Sequence, residues 1–194
     1  MKRLLLSATA LFAILNASAE EQTVVLTTSQ PEGQTITLLV NATRAGVTVD
    51  WGDGTPQAYT STTNGGVLEI SGTLKGANVT VKAAKGWKML AATDAGLTAV
   101  DLSKATELRS LYLQNNALTS VNVANMPELR DLNLANNQLT AVTLNSSKNP
   151  LIETLDLSNN PIAATSFIYG QANLRYLNLS GMDYTPLTLT KDVN

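Results

Sequence analysis

The chain has 194 residues, a net charge of −2 at pH 7, 44% apolar residues and 14% charged ones, and contains neither histidine nor cysteine. Such a composition marks a globular protein of one or two domains with no charge bias toward nucleic acid or an anionic membrane surface. Without His and Cys the commonest general base, thiol nucleophiles, Cys/His zinc sites, disulfides and iron–sulfur clusters are excluded, so most enzyme mechanisms are closed and no cofactor or metal is expected.

Residues 1–19, "MKRLLLSATALFAILNASA", place Lys2 and Arg3 ahead of an apolar run from Leu4 to Leu15, followed by Ala17 and Ala19 in a small-x-small arrangement. This is the pattern of a secretory signal peptide, with cleavage expected after Ala19. The apolar run is shorter than the roughly 20 residues a bilayer-spanning helix needs. No second hydrophobic segment follows, so no membrane span is expected after cleavage. The expected address is secreted, periplasmic or cell-surface.

Residues 20–86 have a different texture. "QTVVLTT", "QTITLLV", "GVTVDWGDG", "GVLEISG" and "ANVTVKAA" alternate apolar with polar and are separated by Gly, Pro, Asn and Ser, which predicts four or five antiparallel strands. The phrase "VDWGDGTPQAYT" resembles the strand and turn of polycystic-kidney-disease-type immunoglobulin-like domains. That resemblance covers one strand and turn, and the segment is short for a sandwich of roughly 100 residues. It is therefore expected to be a small β domain that caps the C-terminal part of the chain. Asp50 and Asp53 on the Gly-rich turn are oxygen ligands of the kind calcium takes, but two carboxylates fall short of the six to eight oxygens it prefers. Turn formation, with Gly52 and Gly54 supplying the backbone angles and Asp53 hydrogen-bonding the turn, is the simpler account of the same residues.

From residue 87 to residue 194 the chain repeats itself. Units begin at Trp87, Leu108, Leu129, Ile152 and Leu174, a period near 22 that signals a solenoid. Apolar residues fall at the first, fourth, sixth and eleventh places, as in Leu108, Leu111, Leu113 and Leu118. The alternation at the fourth and sixth places predicts a short strand with one buried face. The ninth place is Asn116, Asn137 or Asn160, whose amide has the donors and the acceptor needed to satisfy backbone groups where the chain turns inward. These three are read as structural. A second apolar pair in each unit, such as Val121 with Val123 or Val142 with Leu144, predicts another extended segment on the opposite side of the coil. Ala95 and Met182 stand where Asn is expected in the terminal units, and Thr165 breaks the fourth, with Phe167 and Ile168 available to fill the gap.

These units resemble leucine-rich repeats, matching the pattern L-x-x-L-x-L-x-x-N-x-L. Their 21–23-residue length is similar to that of secreted bacterial proteins of the internalin kind. The resemblance implies a mainly β fold: a solenoid of about five coils with a parallel concave sheet and few helices, preceded by the small antiparallel β domain. It also implies binding rather than catalysis.

The outward places of each strand define the expected binding face: Arg109, Arg130 and Arg175 in a basic row broken by Glu153, then Tyr112, Asp131, Asn133, Asp156, Tyr176 and Asn178. Tyr and Arg are the usual anchors of protein interfaces, so a protein partner is expected. A carbohydrate stacked on Tyr is the alternative ligand, and a structural spacer or part of a longer cell-surface protein is the alternative role. A hydrolase using Asp131 and Asp156 would need a pocket that perturbs both carboxyls, which a shallow face does not offer. At the C-terminal end no capping element is expected in the fifth unit, so that either Met182, Tyr184 and Pro186 close it imperfectly or another copy, another protein or the rest of a longer polypeptide covers that edge.

Overall fold

The computed structural model describes residues 21–41, 46–60, 66–83, 86–164 and 166–182. The expected signal peptide, Thr165, the side chain of Phe167, and Tyr184 and Pro186 lie outside the described residues. Within them the protein is almost wholly β. Its strands are β1 (Gln22–Thr28), β2 (Thr35–Asn41), β3 (Val47–Asp50), β4 (Gln57–Tyr59), β5 (Val67–Thr73), β6 (Asn78–Ala83), β7 (Met89–Ala91), β8 (Leu97–Lys104), β9 (Ser110–Tyr112), β10 (Asp131–Asn133), β11 (Thr154–Asp156) and β12 (Tyr176–Asn178). One 3-10 turn, Ser166–Ile168, is the only helical element among the described residues.

The N-terminal segment folds because its alternation is real. Val24 and Leu26 of β1, Leu38 and Val40 of β2, and Val79 and Val81 of β6 are completely buried, whereas most of their neighbours face outward. The result is two sheets, ordered β4-β3-β6-β1-β8 and β5-β2-β7-β9-β10-β11-β12. The first four strands of the first sheet and the first two of the second belong to the N-terminal segment; the rest belong to the repeats.

Both sheets therefore cross the junction. β7, the front strand of the first coil, pairs antiparallel with β2, setting Leu39 opposite Ala91 and Asn41 opposite Met89. β8, its back strand, pairs antiparallel with β1, with Leu26 opposite Val100 and Thr27 opposite Ala99. A coil that ended in water would expose its apolar interior and two rows of unpaired peptide groups. Here the sandwich supplies strands to both walls, and one continuous core runs from Val24 to Ile162.

From β7 onward the front strands are parallel and in register, Leu90 beside Leu111, Leu111 beside Leu132, Leu132 beside Leu155 and Leu155 beside Leu177. The solenoid makes about four turns. The back of the coils departs from expectation: among the described residues only the first coil has a strand there, β8, which pairs with β1. In the second and third units Val121, Val123 and Leu144 are still buried, but the segment forms no strand.

Trp51 anchors the sandwich. Its ring is buried and its indole N–H donates to the Tyr59 hydroxyl at 3.2 Å. The ring lies flat against Gly72 of β5, where an added Cβ would sit 2.0 Å from ring atoms. A Gly72→Ala substitution should therefore displace Trp51 and destabilise the protein by about 1–3 kcal/mol, the usual range for overpacking. Denaturant unfolding followed by tryptophan fluorescence measures this; an unchanged midpoint would show that the ring is free to move.

Candidate functional site

The parallel register superposes equivalent places of successive units. Leu90, Leu111, Leu132 and Leu155 all point inward and are completely buried. The places on either side of them therefore form two rows on the open face. One row is Met89, Ser110, Asp131, Thr154 and Tyr176; the other is Ala91, Tyr112, Asn133, Asp156 and Asn178.

Asparagine fixes the turn that ends each strand. The Asn137 amide nitrogen donates to the carbonyls of Leu113, Leu134 and Ala135 at 2.9, 3.0 and 3.3 Å, while its oxygen accepts the Leu118 N–H at 3.0 Å. Asn160 repeats the arrangement with Leu134, Leu157, Ser158 and the N–H of Leu139. Asn116 takes the carbonyls of Ala92, Leu113 and Gln114 and the N–H groups of Ala95 and Leu97. All three amides are occupied by backbone.

A second ladder runs one residue earlier. Asp94, Asn115, Asn136 and Asn159 adopt φ of 55°, 60°, 54° and 54°, the left-handed region in which Asn and Asp are the best tolerated residues after Gly. Their side chains link coil to coil: Asn159 donates to Asn136 at 2.7 Å, Asn136 to Asn115 at 2.7 Å, and Asn115 to Asp94 at 3.3 Å. Gly181 takes this place in the fifth unit with φ 68°. The sequence reading missed this ladder, although the doublets "NN" at 115, 136 and 159 announce it. It also missed Asn149, fully buried at the opposite corner, whose amide donates to the carbonyls of Val123 and Met126.

The predicted basic row is an ion-pair ladder. Lys88 pairs with Glu107 at 3.9 Å, Arg109 with Glu128 at 3.6 Å, Arg130 with Glu153, and Arg175 with Glu153 at 3.8 Å. Glu107 and Glu128 occupy the last place of their units. The third unit has Leu151 there, and Glu153 of the following unit supplies the missing carboxylate. The apparent interruption at Glu153 thus keeps Arg130 neutralised.

Three predicted polar residues also serve the turn. Asn133 accepts the Ala135 N–H at 3.0 Å, Asp156 accepts the Ser158 N–H at 3.0 Å and its hydroxyl at 2.6 Å, and Asn178 accepts the Ser180 N–H at 3.1 Å. The second Asp156 oxygen takes an N–H of Asn178 at 3.1 Å, and Asp131 accepts the Ser110 hydroxyl at 2.9 Å. Tyr112 is half-buried on β9, whereas Tyr176 is 52% exposed on β12. Three strand spacings separate them, roughly 14 Å, and they stand in different rows, so the structure does not bring them together.

At the N-terminal turn, one Asp50 oxygen accepts the N–H groups of Gly52, Asp53 and Gly54 at 2.9, 3.2 and 3.1 Å. Asp53 accepts the Thr55 N–H at 3.0 Å and a hydrogen bond from the Lys75 ammonium at 2.6 Å, and the Lys75 bond foremost holds its carboxyl below the usual range. The two carboxylates are engaged in closing the turn and binding Lys75. Among the described residues no group of three or more acidic side chains could hold a metal ion, and no helix is long and apolar enough to cross a membrane.

The buried ladder carries a stability prediction. Asn137→Ala strands several buried backbone groups at about 1–3 kcal/mol each, so a loss of at least about 2 kcal/mol is expected. Asn116→Ala, at a more exposed step, should cost less. Chemical denaturation of both variants checks the order, and equal small losses would count against the ladder.

Residues 106–146 match the family model described as Leucine Rich repeats (2 copies), and residues 148–165 match that of a Leucine Rich repeat. No curated protein matches the chain. The front strands on either side of these matches, β7 and β12, continue the same register. The buried leucines, the asparagine ladder and the family matches agree that the segment from residue 106 to residue 165 consists of leucine-rich repeats.

Proposed function

We propose that the protein is an exported, non-enzymatic binding module that recognises another protein through the open face of the repeat sheet, in adhesion or host interaction. Leucine-rich repeats commonly mediate protein–protein interaction, and the face has the form such binding uses. The observation that carries the reading is the division of labour within strands β9, β10 and β11: the central leucine of each is wholly buried in the core, while the third and fifth places stand in register on an open surface. Export rests on the sequence of residues 1–19. A catalytic role for Asp131 and Asp156 is not favoured: both lie on an open face, and both oxygens of Asp156 are held by neighbours.

Photo-crosslinking tests recognition. A photoreactive residue replacing Tyr112 or Tyr176, in the protein expressed in its own cells, should yield a protein adduct, whereas the same residue at Asn122 on the opposite side should not. Adducts from both sides alike, or from neither, would defeat the proposal. Mass spectrometry of the same protein should find Glu20 as the mature N-terminus; an intact leader would remove the export part.

A further inference from the structure

Because β2 pairs with β7, and β5 with β2, the open face does not stop where the repeats begin. The row of Ala91, Tyr112, Asn133, Asp156 and Asn178 continues through Leu39 to Glu69, and the row of Met89, Ser110 and Asp131 continues through Asn41 to Val67. Two of the few exposed large apolar residues lie on this extension, Leu39 at 37% and Val67 at 55%. With Met89 and Tyr112 they form the apolar part of the face across β5, β2, β7 and β9, in which Ala91 is only 6% exposed and Asn41 separates Val67 from Met89. Beyond it, toward β10 and β11, the face turns polar.

Charge is distributed unevenly as well. The two extended rows contain Glu69, Asp131 and Asp156 and no Lys or Arg. The four cations bordering them face three glutamates, Lys88 with Glu107, Arg109 with Glu128, and Arg130 and Arg175 sharing Glu153, which leaves one positive charge against three unpaired carboxylates. Glu69, Asp131 and Asp156 have no ion-pair partner among the described residues. The residual field of the face is therefore negative, the opposite of what the arginine column suggests in the sequence. Opposite charge across an interface fixes register and speeds encounter.

We infer that the partner is an extended polypeptide segment of another protein that seats a bulky apolar side chain on the Leu39–Val67–Tyr112 patch and sets a Lys or Arg against Asp131 and Asp156. Three strand spacings separate Leu39 from Asp131, roughly 14 Å, which an extended chain covers in about four residues. The anchor and the basic residue of the partner thus stand about four positions apart. This rests on the open face being a recognition surface, and it adds the N-terminal strands to that surface and a chemical class to the partner.

Panning a phage-displayed library of random twelve-residue peptides on the full chain tests it, with binding of the enriched peptides measured by fluorescence anisotropy. Enriched peptides should carry Lys or Arg about four positions from a bulky apolar residue. Their affinity should fall at least tenfold with Leu39→Ser plus Val67→Ser, two exposed positions. It should fall severalfold with Asp131→Asn plus Asp156→Asn, the latter loss disappearing in high salt. Circular dichroism melts of both variants confirm that they fold. Acidic or charge-indifferent peptides, or binding lost with Tyr112→Ala plus Tyr176→Ala but not with the Leu39/Val67 variant, would overturn this inference alone. Crosslinked adducts on the front face with no enriched peptide would also overturn it and leave protein recognition standing; the absence of both would remove the two together.

Discussion

A repeat coil cannot bury its own leucines, and everything in this protein depends on how that deficit is met at the first coil. The hydrogen bonds of β2 to β7 and of β1 to β8 place the front and back walls of that coil inside two pre-existing sheets. Leu90 and Leu97 are thereby covered from the outset, and each later coil inherits a finished surface to stack on. The N-terminal segment is more than a lid resting on apolar side chains: it sets the direction, register and spacing of the parallel sheet. A change deep in the sandwich, under Trp51 for instance, can consequently reach the repeats through shared strands.

Stacking identical units one strand apart puts like beside like, which suits some groups and harms others. An amide has a donor and an acceptor, so a column of asparagines can bond to itself and to the backbone; hence the exposed chain from Asn159 to Asp94 and the buried one from Asn160 to Asn116. A column of arginines has only donors and like charge. The glutamates at the ends of the units relieve it, and Glu153 replaces the one that Leu151 omits. Exposed pairs of this kind contribute at most about 1 kcal/mol each, so their effect lies less in stability than in offsetting most of the positive charge beside the face.

The periodicity of the chain explains how much of the structure its sequence disclosed. The inward leucines and the ninth-place asparagines repeat at a fixed interval, so their roles can be read without knowing the fold, and the alternation of residues 22–28 and 35–41 showed strands. Pairing between remote segments has no such signature. Nothing in "QTVVLTT" says that it will bond to β8 and so give the first coil a back strand that the second and third units lack. The acidic character of the face was hidden for a similar reason: the cations share a column, but the glutamates that face them lie 19 or 23 residues onward or, for Arg175, 22 residues back, outside the L-x-x-L-x-L-x-x-N-x-L motif. The buried amide of Asn149 was obscured because equivalent corners of earlier coils hold Ala105 and Met126.

The fifth place of each strand links scaffold and surface. Asn133, Asp156 and Asn178 each cap the following turn by accepting an N–H two residues on, and a hydrogen bond of this kind contributes about 0.5–1.5 kcal/mol. Ala91 and Tyr112 have no such oxygen to offer their turns. A solenoid serving only as a spacer would gain from Asn or Asp in every unit, so these two positions give up local stability. They are also the two that continue directly from Leu39 across β2, β7 and β9, Ala91 being largely covered and Leu39 and Tyr112 reaching the surface on either side of it. The departure from the turn-capping pattern and the apolar part of the face coincide, at the point where the N-terminal sandwich and the repeats become one sheet.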